Sequence, residues 1–216
     1  MDNTLEETNY FNKPNRFDLL AKEWDSKPER VESAMKFVDY IKSDIKEDIS
    51  HFNVLDYGCG SGLVSFGFAC DVKSIDGLDY SNEMVNRYNQ KAKGLGFDHI
   101  RGENHNINIE SIDNNKYNLV VTNMTMHHIC DIRNFIDRLK LSLCDDGYLY
   151  IADLISEDGS FHSMGNDDVE HLGFDKDYLY EEFIKAGFTD IKFDIIQVIK
   201  KGIKEYPIFS ISGKLL

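Results

Sequence analysis

Apolar runs too short to be helices take turns with longer segments of helical period along most of this chain, and that alternation narrows the possible folds more than any other feature. From Glu29 onward, Val31, Ala34, Met35, Val38, Ile41, Ile45 and Ile49 recur at helical spacing, with Pro28 placed to open the first turn. His51-Phe-Asn-Val-Leu-Asp-Tyr follows as a short apolar run closing on Gly58, Gly60 and Gly62, the pattern of a buried strand and a tight turn. Residues 74–79 predict a strand, and Ser81 to about Lys93 a helix capped by Ser81 or Asn82. Residues 97–102 and Tyr117-Asn-Leu-Val-Val-Thr-Asn predict two more strands, and Ile132, Phe135, Ile136, Leu139 and Leu143 trace the next helix. Asp145-Asp-Gly reads as a turn into the strand 148–154, and residues 175–186 as a helix stopped by Gly187. Residues 191–199 and 206–211 are strands with no helix between them.

Strand–helix alternation implies right-handed crossovers and a parallel sheet covered on both faces. A final strand pair joined only by residues 200–205 implies an antiparallel hairpin added to that sheet. The expectation is an α/β fold: a doubly wound, mostly parallel, seven-stranded sheet with a C-terminal antiparallel hairpin. Residues 1–50 form an N-terminal helical cover on the domain of residues 51–216, one structural domain overall. The segment before Phe52 and residues 157–174 stand outside the alternation and are expected to lie over the carboxyl edge of the sheet.

Charge removes several classes of function. With 24 Lys+Arg against 38 Asp+Glu, the formal charge is −14, which repels a phosphate backbone or an anionic membrane surface. No apolar run approaches the roughly 20 residues that would span a bilayer. The acidic opening, Met1-Asp-Asn-Thr-Leu-Glu-Glu, lacks the apolar centre of a signal peptide. Cys59, Cys70, Cys130 and Cys144 are far apart without a CxxC pair, so reduced thiols in a cytoplasmic protein are expected, with neither a disulfide frame nor a metal site. Oligomeric state leaves no mark on the sequence.

Ligands of open α/β sheets sit beyond the carboxyl ends of the strands. The first strand ends there in Val54-Leu-Asp-Tyr-Gly-Cys-Gly-Ser-Gly, where Gly58 and Gly60 allow positive φ and close approach to the main chain. Asp79 ends the next strand, about 20 residues on, where a carboxylate can accept both hydroxyls of a ribose. Position 63 is Leu, so the dinucleotide pattern GxGxxG fails at its third glycine. Asp56 precedes the turn instead, which suits a cationic ligand bearing an amino group better than a pyrophosphate.

These residues resemble class I S-adenosylmethionine-dependent methyltransferases of the small-molecule type. Gly77-Leu-Asp-Tyr-Ser is similar to the family segment whose acidic residue binds the ribose, here Asp79. Gly102-Glu-Asn is similar to the segment at the adenine edge, which implies roles for Glu103 and the Asn104 main chain. Asn118-Leu-Val-Val-Thr-Asn-Met-Thr-Met-His-His-Ile resembles the fourth-strand segment, and Asp145-Asp-Gly stands where the family often has Lys-Pro-Gly-Gly. The resemblance implies a Rossmann-like methyltransferase fold and S-adenosylmethionine as cofactor. It implies cofactor binding by Asp56, Gly58, Cys59, Gly60, Asp79, Tyr80, Met84, Glu103, Asn104 and Asn123, with Trp24 as a lid aromatic.

Methyl transfer is an in-line displacement for which positioning supplies much of the catalysis. A base is needed only where the nucleophile must lose a proton. His127 and His128 lie just past the fourth strand; adjacent side chains seldom share a face, so His127 is assigned to the site and His128 to packing. His162, Glu170 and His171 in the expected cover are further lining residues. Asn123 is followed by Met-Thr-Met, not Pro-Pro-Tyr, which with the acidity points to a small-molecule acceptor rather than nucleic acid. Two other readings stay open: a cofactor-binding regulatory protein without catalysis, and a nicotinamide-dependent oxidoreductase.

Overall fold

The computed structural model describes residues 15–107, 110–162 and 165–216. The acidic opening and the start of the expected N-terminal cover, residues 1–14, lie outside the described residues. The strands are β1 (Asn53–Tyr57), β2 (Ser74–Asp79), β3 (Ile100–Asn104), β4 (Tyr117–Asn123), β5 (Leu143–Leu154), β6 (Thr189–Lys201) and β7 (Lys204–Lys214). The helices are α1 (Arg16–Leu20), α2 (Pro28–Asp44), α3 (Leu63–Phe68), α4 (Asn82–Leu95), α5 (Ile132–Ser142) and α6 (Lys176–Ala186), with 3-10 turns at Ala21–Ser26 and Met126–His128.

One seven-stranded sheet has the order β3-β2-β1-β4-β5-β7-β6. Strands β1 to β5 are parallel, while β7 runs antiparallel to both neighbours. The order reverses between β1 and β4, which opens a crevice at their carboxyl ends. Alternate residues of the central strands serve opposite cores, as a period of two requires. Val54, Leu119, Val121 and Tyr150 pack with Phe37, Val38 and Ile41 of α2. Leu55, Val120, Leu149 and Ile151 pack with Phe135, Ile136 and Leu139 of α5 and Phe183 of α6. At about 1.5–3 kcal/mol for each large side chain taken from water, these two cores hold helices on both faces.

Helix α4 forms where expected: Ser81 Oγ accepts from the Met84 amide at 3.2 Å, and Met84, Val85, Tyr88 and Ala92 supply the buried stripe. Tyr88 lies against Gly77 and Gly102, which are paired across β2 and β3, so its ring brings α4 down onto those strands.

Several boundaries differ from the sequence expectation. Helix α2 stops at Asp44, short of Ile49, because Ile45 turns into the core with extended backbone. The segment Asp145-Asp-Gly is not a turn before a strand but an irregularity within β5, where Tyr117 pairs with Leu143 and Leu119 with Tyr148. Helix α3 has only six residues, too few for a 3.6-residue repeat to register. Strands β6 and β7 continue to the Lys201–Lys204 pair, so the hairpin link is shorter than residues 200–205. Between β3 and β4 the described residues contain no helix.

Candidate active site

The turn after β1 is fastened to the end of β2. Gly58 and Cys59 amides donate to Leu78 O at 2.7 and 3.1 Å, and the Gly60 amide to Asp79 Oδ2 at 2.8 Å. Gly58 and Gly60 have φ of 72° and 52°, left-handed values that the bend requires. Asp79 Oδ1 accepts from the Ser81 amide at 2.8 Å. Each carboxylate oxygen thus holds an amide, with the Tyr80 amide also directed at the group, and a carboxylate has about four lone-pair positions in all. Burial pushes the Asp79 carboxyl above its ordinary range, against the opposing pull of the Ser81 and Gly60 amides.

Asp56 is fully buried and turned into the protein. Its Oδ2 accepts from Ser65 Oγ at 2.6 Å and the Ser65 amide at 3.1 Å, in the first turn of α3. Burial pushes this carboxyl up to about 7, against those two bonds. Asp56 therefore organises the turn from beneath. The Cys59 side chain is buried as well, and burial raises its thiol pKa well above the ordinary value.

Trp24 and Met84 flank Gly60. A methyl group added there would lie 3.8 Å from Trp24 Nε1 and 3.9 Å from Met84 Sδ, ordinary contact distances. Phe17 joins this wall edge-on, with ring centroids 5.9 Å from Trp24, 6.3 Å from Tyr80 and 5.2 Å from His128. Polar contacts hold α1 and the following 3-10 turn in place. Asp18 Oδ1 accepts from Ser81 Oγ at 2.6 Å, Asp25 pairs with Lys91 at 2.9 Å, and Arg16 pairs with Asp168 at 2.6 Å. Asn15 and Asp18 close a capping box that starts α1. Asn104 Nδ2 donates to Tyr80 O at 2.8 Å, bracing the β2–α4 corner, while exposed Glu103 stands beside Arg101 at 3.6 Å. Asn123 Oδ1, at the end of β4, is buried without a hydrogen-bond partner among the described residues.

The 3-10 turn at Met126–His128 carries the second half of the site. His127 is buried; its amide donates to Asp153 Oδ2 at 3.1 Å and its Nδ1 lies 2.7 Å from Asp153 Oδ1. Asp153, fully buried on β5, also accepts the Leu154 amide at 2.7 Å. With both Asp153 oxygens acting as acceptors, the His127 Nδ1–H is the donor to Asp153. His128 Nδ1 faces the Asp168 carbonyl.

His162, from the cover, completes a group in which one ligand-bearing nitrogen of each ring lies within 4.8 Å of the others. Its Nδ1 is buried without a partner among the described residues, a state that costs about 1–3 kcal/mol in a folded protein. Burial, then the neighbouring imidazoles of His127 and His128, push the His162 pKa down to about 4; burial and His127 likewise lower His128. The tight 3-10 turn leaves the His128 ring centroid 4.1 Å from that of His127 and 5.2 Å from that of Phe17. His171 is directed elsewhere, with Nε2 3.3 Å from Cys130 O, and exposed Glu170 contributes its amide to His127 O at 2.9 Å. Asp153 had a sequence signal that periodicity ignores: an acid inside the apolar run Tyr148-Leu-Tyr-Ile-Ala-Asp-Leu needs a buried partner.

A family model described as a methyltransferase domain matches residues 14–192. An uncharacterized methyltransferase of Schizosaccharomyces pombe is 31% identical over 132 residues, covering 57% of this chain and 46% of that protein. A ubiquinone biosynthesis O-methyltransferase of Rickettsia prowazekii is 31% identical over 122 residues, covering 53% and 46% respectively. The match thus spans about half the length of these relatives. Among solved structures, a Haloferax volcanii methyltransferase in complex with the activator Trm112 superposes with a TM-score of 0.77 at 15% identity, covering 94% of this chain and 99% of that one. Haemonchus contortus phosphoethanolamine N-methyltransferase 2 in complex with S-adenosylmethionine gives 0.69 at 12% identity, covering 82% and 52%. At these identities the structural likeness establishes the fold.

Proposed function

The chain belongs to the methyltransferase-domain family, and on that premise we propose that it transfers a methyl group from S-adenosylmethionine to a small-molecule acceptor held beside His127. The observation that carries this reading is the carboxylate-closed turn. Asp79 is held by the Gly60 and Ser81 amides, beside the open cradle between Trp24 and Met84. Asp79 has lone-pair capacity left to receive the ribose. Trp24, Met84 and Tyr80 offer apolar surface for a purine and its sugar, with Glu103 and Asn104 at the rim and Asn123 at the inner end. Gly58, Cys59 and Gly60 set the bend, and buried Asp56 fastens it from beneath through Ser65, on the side where the amino-acid end of the cofactor would lie.

S-adenosylmethionine supplies a methyl group already activated by positive sulfur. What remains for the chain is alignment and the exclusion of water. Phe17 and Trp24, latched through Asp18 and Asp25, cover the crevice and keep the charges inside it poorly screened. Asp153 fixes the His127 ring and leaves Nε2 as an electron-pair donor at the acceptor side.

The formal charge of −14 disfavours a nucleic-acid acceptor. Four free cysteines suit a reducing, cytoplasmic setting. No helix among the described residues is long and apolar enough to cross a membrane. Titration calorimetry with S-adenosylmethionine and with NAD tests the cofactor: the first binds and the second does not. Methyl release is then followed over a panel of hydroxyl, amine and thiol acceptors. Binding of NAD in place of S-adenosylmethionine would overturn the assignment, and binding without transfer to any acceptor would favour a regulatory role.

A further inference from the structure

We propose that His127, His128 and His162 form a three-nitrogen centre for a divalent transition metal of the zinc class, with an open coordination position facing the acceptor. Two segments far apart in the sequence bring one ligand-bearing nitrogen from each of these residues to within 4.8 Å of the other two. The surroundings of two of the rings are those of metal ligands. A ligating imidazole characteristically gives its other N–H to a carboxylate or a backbone carbonyl, which fixes the tautomer and the ring plane. His127 Nδ1 meets Asp153 Oδ1 at 2.7 Å, and His128 Nδ1 meets the Asp168 carbonyl. Both rings therefore have Nε2, the nitrogen that would face a metal, on the side away from those acceptors. On the third ring, the buried Nδ1 of His162 has no partner among the described residues, an unmet position that a metal bond would fill.

The donor set selects the ion. Three neutral imidazoles suit zinc, cobalt or nickel, whereas magnesium and calcium require oxygen ligands. Three protein ligands with a fourth position open is the composition of a catalytic rather than a structural zinc site. Bonds of about 2.0–2.1 Å require the nitrogens to draw closer than 4.8 Å. His127 is held at both its amide and its ring, so closure falls to His162, which comes from the loop.

This inference rests on the methyl-transfer reading and narrows its acceptor to a hydroxyl compound. A hydroxyl oxygen bound at the open position loses its proton to solvent. Its lone pair then forms the new O–CH3 bond as the C–S bond breaks, with that electron pair returning to sulfur to leave a neutral thioether.

The test uses the full chain, stripped with a chelator, dialysed and titrated with Co2+ while the visible d–d absorption is recorded. Zn2+ content after dialysis is measured in parallel. One equivalent of each metal per chain is expected. His162→Ala should weaken binding at least 100-fold, whereas His171→Ala, outside the cluster, should bind as the parent does. Asp153→Asn, confirmed as folded by circular dichroism, should weaken it about 10- to 100-fold through loss of ring orientation. Absence of stoichiometric Co2+, or full binding by His162→Ala, overturns the metal centre. S-adenosylmethionine affinity is measured on the same stripped and loaded samples. Intact cofactor binding by a chain that fails to bind Co2+ or Zn2+ refutes this inference alone, and metal binding by a chain with no cofactor affinity refutes the methyl-transfer reading.

Discussion

Placing alanine at Gly58 and, separately, at Gly60 should give two unlike failures. Both residues lie in the left-handed region, at φ 72° and 52°, where an L side chain costs about 1–2 kcal/mol. Alanine recovers about 0.4–1 kcal/mol by restricting the unfolded chain. At Gly60 nothing else opposes it, since the nearest atoms to the new methyl are 3.8 and 3.9 Å away. Gly60→Ala should therefore lose only about 1 kcal/mol of stability. Its methyl occupies the cradle between Trp24 and Met84, so S-adenosylmethionine affinity should fall at least tenfold.

At Gly58 the new methyl would stand 2.2 Å from Thr125 Oγ1 and 2.4 Å from Thr125 Cγ2. Thr125 is β-branched and stiff, so the backbone must shift, adding about 1–3 kcal/mol of overpacking. Gly58→Ala should lose about 3 kcal/mol in all, from the midpoints of the two costs less the unfolded-state recovery. The displacement would also pass directly into the turn that carries His127 and His128. Urea denaturation measures the two losses, and calorimetry the two affinities. Adding Thr125→Ala to Gly58→Ala removes the 2.2 and 2.4 Å overlaps and should recover part of the stability, a coupling that a double-mutant cycle quantifies. Equal stability of the two single variants would refute the steric reasoning. Undiminished cofactor affinity in Gly60→Ala would refute the placement of the crevice.

Asp79→Ala should lose S-adenosylmethionine affinity by tenfold or more, about 1.5–3 kcal/mol for a charge-assisted contact, as read by calorimetry. It should also lower the melting temperature, because the Gly60 and Ser81 amides lose their acceptor. Asp56→Asn should flatten the pH dependence of stability. The native carboxyl is pushed up to about 7 from an ordinary value of 3.8, so its contribution is fully present below the unfolded value and is lost as pH rises through the native one. The parent should lose about 1.4 kcal/mol per pH unit within that window from this group, and urea melts from pH 4 to 7 should show a shallower slope in the variant. Arg16→Ala removes a partly exposed pair with Asp168 and should change global stability by less than about 1 kcal/mol. Limited trypsin digestion should nonetheless cut the 15–26 segment faster, since that pair ties α1 to the cover.

What the sequence determined is local. Helix α4 is written in a Ser81 cap and a buried stripe, and helix α6 ends at Gly187 as expected. The bend after β1 is written in its glycines, because caps, turns and periods act within a few residues. The alternation of elements was enough to specify the doubly wound sheet and the antiparallel return of β7. Tertiary structure decided the partners. Asp56, next to the turn in sequence, is engaged by Ser65 from beneath it. Asp153 reaches His127 only because β5 lies beside β4. His162 joins His127 and His128 from a cover that no repeat marks, and Asp18 finds Ser81 across the mouth of the crevice. Hydrogen bonds and ligand sets depend on distances of a few ångströms in space. Residue order fixes such distances within one helix or turn, and packing of the two cores fixes them everywhere else.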